Sequence, residues 1–119
     1  MKTKHEIYYD KEKTKPVKNY KVDKYGYAIL NTGKFYIFGE TKVYAYGNSV
    51  VLAYNNTGVG AYEDAMVFAQ NNSEVVALGN TKVYAHGNTK VMAFENAWVW
   101  GTRNAKIIDK RENTCQNPT

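Results

Sequence analysis

Adjacent carboxylates at Glu63 and Asp64, a third at Glu95, histidines at His5 and His86 and one thiol at Cys115 are the groups in this 119-residue chain that could transfer protons or hold a metal. Each chemistry makes a geometric demand. Two carboxylates acting as acid and base or nucleophile must face each other across about 5–9.5 Å. Zinc needs about four converging Cys, His or acidic ligands. Side chains of neighbours in a turn diverge, so Glu63 and Asp64 read as solvated corner charges, and Glu95 falls roughly 10 Å from Glu63 once the chain is coiled. One leader histidine, one mid-chain histidine and one tail cysteine do not form a Cys/His cluster. Gly47, Gly79 and Gly87 recur at a fixed spacing rather than gathering in a phosphate-cradling loop. No catalytic residue, metal site or cofactor is expected, and a non-enzymatic protein follows.

Contact chemistry remains. The net charge is +5, and its placement matters more than its sum. Residues 1–24 carry eight lysines against four acids, whereas residues 25–119 carry eight basic residues against seven acids. The body is nearly neutral and the leader is basic, which makes Lys11, Lys13, Lys15, Lys18 and Lys21 the candidates for nucleic-acid contact. Large apolar side chains form the second set: Val50, Leu52, Tyr54, Met66, Phe68, Tyr84, Trp98 and Trp100.

What positions these residues is an eight-residue repeat. Nine octads run without a gap: TKVYAYGN (41–48), SVVLAYNN, TGVGAYED, AMVFAQNN, SEVVALGN, TKVYAHGN, TKVMAFEN, AWVWGTRN and AKIIDKRE (105–112). Position three is Val43, Val51, Val59, Val67, Val75, Val83, Val91, Val99 and then Ile107; position five is Ala until Gly101 and Asp109. Position one is Thr, Ser or Ala. Position eight is Asn except at Asp64 and Glu112. Positions two, four, six and seven vary. Fixing one alternating set of side chains and freeing the other is the period of a strand, and the closing Gly-Asn, Asn-Asn or Glu-Asn marks a tight corner.

A strand so short cannot bury its own apolar face and must stack on copies of itself, which predicts an all-β fold, a single-stranded β-solenoid (β-helix). Uniform Val and Ala fill the narrow interior. Position four faces out, because no constant cross-section holds both Gly60 and Trp100. Outward residues sort best by polarity at two octads per coil. The apolar set above then forms one strip on one face, with Tyr54 at its margin, and Asn56, Asn72, Asn88 and Asn104 form a corner ladder of bonded amides. Thr41, Thr57, Thr81 and Thr89 share the inward phase, which speaks against a flat ice-binding Thr array.

YGYAILNT (25–32) and GKFYIFGE (33–40) keep the octad length, with Tyr27, Ile29, Phe35 and Ile37 at inward places. The domain plan is a Lys-rich cap at 1–24, a solenoid at 25–112 whose coil closes near Asp109, and a polar tail at 113–119. The basic leader reads as a cap that shields a sheet edge. The chain has no apolar run able to cross a bilayer, no signal-peptide core at its start and no possible internal disulfide. A cytoplasmic location is expected.

The octads TKVYAYGN, TKVYAHGN and SEVVALGN resemble the A-x-V-x-A-Y-G-N repeats of small β-solenoid proteins from bacteriophages, prophages and gut anaerobes, over 41–104. The resemblance implies a compact β-solenoid in a bacterial host. Small accessory phage proteins of this size commonly cover a working surface of host machinery, including defence nucleases such as CRISPR effectors. The expected function is therefore protein binding, as an inhibitor of a host defence complex, through the Trp98/Trp100 strip. The alternatives are binding of nucleic acid or a ribonucleoprotein through the leader, and a structural homo-oligomer of the fibre or virion kind. A homodimer through the aromatic face, or a leader or tail folded over it, would also cover the strip.

Overall fold

The computed structural model describes residues 5–102 and 104–109, and every regular element among them is a strand. The elements are β1 (Glu6–Tyr8), β2 (Lys21–Val22), β3 (Ala28–Leu30), β4 (Lys34–Phe38), β5 (Lys42–Ala45), β6 (Val50–Ala53) and β7 (Gly58–Ala61). They continue as β8 (Met66–Ala69), β9 (Glu74–Ala77), β10 (Lys82–Ala85), β11 (Lys90–Ala93), β12 (Trp98–Gly101) and β13 (Lys106–Asp109). From β3 onward successive strands alternate between two sheets, so each octad supplies one strand to one wall. Sheet A runs β1-β4-β6-β8-β10-β12 and sheet B runs β2-β3-β5-β7-β9-β11-β13. The result is a parallel β-solenoid of about five turns.

From β4 to β13 each parallel pair is aligned sixteen residues apart: Lys34 lies beside Val50, Lys82 beside Trp98 and Val91 beside Ile107. Equal residues therefore stack on equal residues. Val43, Val51, Val59, Val67, Val75, Val83 and Val91 and the alanines from Ala45 to Ala93 are buried, as the alternation predicts. Position one is also inside: Thr41, Ser49, Thr57, Ser73, Thr81 and Thr89 are all buried. Thr41 Oγ1 accepts a hydrogen bond from the Glu6 N–H at 2.7 Å, and Ser73 Oγ donates to the Gln70 carbonyl at 2.9 Å. The hydroxyls of Ser49, Thr57, Thr81 and Thr89 are buried without such a partner. Thr89→Val keeps the shape and removes the hydroxyl, and is expected to raise stability by about 1 kcal/mol. A lower melting temperature in the variant would show that the hydroxyl is bonded after all.

The corners correct one expectation. Left-handed backbone falls on position seven, at Gly39, Gly47, Asn55, Glu63, Asn71, Gly79, Gly87 and Glu95. The ladder along the axis runs through these residues and uses backbone donors. The N–H of Gly39 donates to Asn55 Oδ1 and that of Asn55 to Asn71 Oδ1, both at 2.8 Å; those of Gly47 and Gly79 donate to Glu63 Oε1 and Glu95 Oε1, both at 2.7 Å. The amides of Asn56, Asn72, Asn88 and Asn104 make no such ladder among the described residues. The reason is that position seven, being left-handed, aims its N–H along the stack, where only the next coil's position-seven side chain reaches it.

Glu63 and Glu95 thus stand at φ of 62° and 58°, which costs a β-carbon roughly 1–2 kcal/mol, and the carboxylate bond offsets that cost. Glu63→Ala keeps the strain and loses the bond, so it is expected to cost about 2 kcal/mol; Glu63→Gly relieves the strain and should cost about half as much. Equal losses in denaturant melts would contradict this division.

The N-terminal segment lies antiparallel on the first coil. β1 pairs with β4, Ile7 opposite Ile37, and β2 pairs with β3, Val22 opposite Ala28. These two strands occupy the N-terminal edges of sheets A and B. Between them Asp10 ties a tight loop, accepting from the Thr14 hydroxyl and from the N–H groups of Thr14 and Lys15. The Thr14 hydroxyl bond leads in holding the Asp10 carboxyl below its ordinary value.

Phe35 and Ile37 point inward as expected. Tyr27 and Ile29 do not: Ala28 and Leu30 are buried in their place. β3 aligns with β5 fifteen residues apart, Ala28 beside Val43, because three residues link Leu30 to Lys34 where the regular corners hold four. A one-residue slip exchanges the faces of a strand. At the other end Ile107 sits in the inward register but is 42% exposed, as the last inward residue of the described stack. Arg103, residues 110–112 of the charged run and Cys115 with the tail at 113–119 lie outside the described residues.

Candidate functional site

On sheet A the varied positions face outward as the sequence predicts, and the sixteen-residue register lines them up. One file holds Tyr36, Leu52, Phe68, Tyr84 and Trp100; the other holds Lys34, Val50, Met66, Lys82 and Trp98. Phe68 and Tyr84 stack at 4.9 Å with ring planes 12° apart. Tyr84 meets Trp98 edge-on at 5.6 Å, and His86 meets Trp100 edge-on at 5.9 Å. Such ring pairs add about 0.5–1.5 kcal/mol beyond area burial, so they hold the face in one arrangement. Trp98 and Trp100 remain 48% and 49% exposed, the most exposed apolar side chains of the strip.

The opposite end of the strip is occupied by the chain itself. Tyr54 stacks on Phe38 at 5.0 Å, and the leader's ammonium groups sit on both rings, Lys11 at 5.8 Å over Tyr54 and Lys13 at 4.5 Å over Phe38. Lys13 also approaches the Glu6 carboxylate at 3.7 Å. Burial and the nearby Tyr36 raise the Tyr54 hydroxyl above its ordinary value, keeping it protonated. Tyr54 therefore belongs to the leader's own packing. Val50, Leu52, Met66, Phe68, Tyr84, Trp98 and Trp100 stay together as a continuous, partly exposed face.

The five leader lysines do not form one patch. Lys11 and Lys13 lie over rings of sheet A, whereas Lys21 is on β2, at the edge of sheet B. Lys15 and Lys18 are exposed between them. The titratable groups are likewise apart. His5 Nε2 lies 2.8 Å from the Gly26 carbonyl oxygen, while Glu63 and Glu95 accept corner N–H groups. Among the described residues no three His, Cys, Asp or Glu side chains converge as a metal site would require, and no helix is long and apolar enough to cross a membrane.

Sequence reasoning missed a second feature, on sheet B. The outward residues of β7 are Gly58 and Gly60, so the wall dips there into a cleft of about 420 Å³ between Lys42, Tyr44, Tyr62, Glu74 and Val76. The signal was in TGVGAYED, the octad with glycine at both outward strand positions. Its glycines served only to decide which side faced in.

No protein-family model matches the chain, and no curated protein or solved structure shows significant similarity to it.

Proposed function

We propose that this chain is a binding module without catalysis of its own, which docks a partner protein on the outward face of sheet A around Trp98 and Trp100. The observation that carries the reading is the pair of half-exposed indoles ending a stacked file of rings on a rigid wall. Trp, Tyr, Phe and Met are the residues enriched at interface cores, and strands fix their positions before binding, so little ordering entropy is lost. The likeness of the octads to phage and prophage repeats adds the kind of partner: a host protein, of which a defence nuclease complex is our candidate, blocked by covering its working surface.

The test is capture of partners from bacterial lysate on the tagged protein, with and without nuclease, against the Trp98→Ala/Trp100→Ala variant. A protein retained after nuclease and lost with the tryptophans supports the proposal and names the target. Capture that vanishes with nuclease, survives the double variant and weakens steeply with salt would move the function to the leader lysines and nucleic acid. A concentration-dependent dimer lost in the variant would make the face a self-association surface.

A further inference from the structure

The cleft on sheet B has the make-up of a ligand site that is independent of the aromatic face of sheet A. Its floor is β7, whose glycines lack side chains where every other octad has one. One wall is Tyr44, stacked on Tyr27 at 4.7 Å with planes 11° apart. Tyr62 stands against Tyr44 at 72°, so two ring surfaces meet at a corner. Tyr44 leans over the strand: a β-carbon on Gly60 would lie 2.8 Å from its ring. A β-carbon on Gly58 would meet only the Lys42 chain, at 3.5 Å, so the floor beneath Gly58 is open.

Polar groups line the other sides. Register puts Lys42, Gly58 and Glu74 side by side on consecutive strands, so the two charged residues flank the dip with backbones about 10 Å apart. They form no ion pair with each other among the described residues. Asn56 and Asn72 also border the cleft, and their side-chain amides take no part in the corner ladder. Tyr44 and Tyr46 are raised above their ordinary hydroxyl range, chiefly by burial, and so stay neutral as hydrogen-bond donors.

Two ligand classes are disfavoured by this geometry. An extended peptide adds to a sheet by backbone pairing at an edge, whereas β7 is already paired on both sides, with β5 and β9. A phosphate or other anion would meet Glu74 as well as Lys42. A shallow cleft with ring surfaces, free amides and charges that cancel suits a ligand with an apolar face and a rim of hydroxyls. The C–H face of a sugar carries partial positive charge and packs on the negative face of an aromatic ring, while amides, an ammonium and a carboxylate bond its hydroxyls. The volume lies in the range for small-ligand clefts, about 300–1,000 Å³.

From these observations we propose that the Gly58/Gly60 cleft binds a neutral oligosaccharide, seated on Tyr44 and Tyr62 and hydrogen-bonded by Lys42, Glu74, Asn56 and Asn72.

The experiment is an NMR titration of the ¹⁵N-labelled full chain with chitotetraose, cellotetraose, maltotetraose and mannotetraose, and with a heparin tetrasaccharide as the acidic control. At least one neutral sugar should shift the Gly58 and Gly60 amide signals with a Kd on the order of 1 mM or tighter. Gly58→Val fills the floor with a residue that other octads carry outward, so the spectrum should stay folded while binding weakens roughly tenfold or more. Glu74→Gln should weaken it less, since one hydrogen-bond acceptor remains. Absence of shifts with all four neutral sugars, preference for the heparin fragment, or unchanged binding in Gly58→Val would each overturn the assignment.

Discussion

Val75→Asp is expected to abolish the cooperative thermal transition and collapse the β-sheet circular dichroism. Val75 lies inside the tube, stacked between Val59 and Val91, and is 1% exposed. A carboxylate there has only Val and Ala around it. Burying an unpaired charge costs several kcal/mol, of the same order as the total stability of about 5–15 kcal/mol for a domain. The next residue is the internal control. Val76 is 38% exposed on the same strand, so Val76→Asp should change stability by no more than about 0.5 kcal/mol. A native melt for Val75→Asp, or equal damage from the two variants, would refute the inward phase of the valines.

The second large effect concerns binding without folding. Trp98→Ala with Trp100→Ala should leave the circular dichroism and melting temperature close to the parent values, because each indole has about half its surface in water. Partner affinity should fall by at least a thousandfold, the equivalent of about 4 kcal/mol for two interface anchors of roughly 2 kcal/mol each. Titration of the captured partner against both proteins by calorimetry reads this directly. Loss of structure in the double variant would mean that the indoles are core, and full affinity would mean that the partner docks elsewhere.

How much of this was legible in the letters depends on what each position had to satisfy. The interior constrains side-chain volume at every coil, so Val and Ala recur and the inward set from 43 to 93 could be read from uniformity alone. The strip was legible for the complementary reason: once the phase is known, a sixteen-residue register places Phe68, Tyr84 and Trp100 in one file. Register within β3 was not legible. It hangs on a single missing residue in the corner at 31–33, and local composition does not reveal a connector's length while Tyr27 and Ile29 look as apolar as Ala28 and Leu30. The corner ladder was misread because the conserved letter is Asn at position eight, whereas the bonding groups are a main-chain N–H and the varied side chain at position seven. A glutamate in left-handed backbone is unusual enough to be overlooked by rules built on Gly and Asn. The tie between Lys11, Lys13 and the rings of Tyr54 and Phe38 joins residues far apart in sequence, and no periodic pattern announces it.

The corner bonds also point one way. In every one observed, the donor N–H belongs to the earlier coil and the acceptor side chain arrives sixteen residues later: Gly39 waits for Asn55, Gly47 for Glu63, Gly79 for Glu95. A chain emerging from the ribosome therefore completes each turn only when the following one is made, and every new turn finds a finished template of matching Val and Ala beneath it. Such a molecule is built like a wall laid course by course from the amino terminus, with β1 and β2 as its footing, so that synthesis and folding proceed in the same direction and a truncated chain loses the bonds of its top course first.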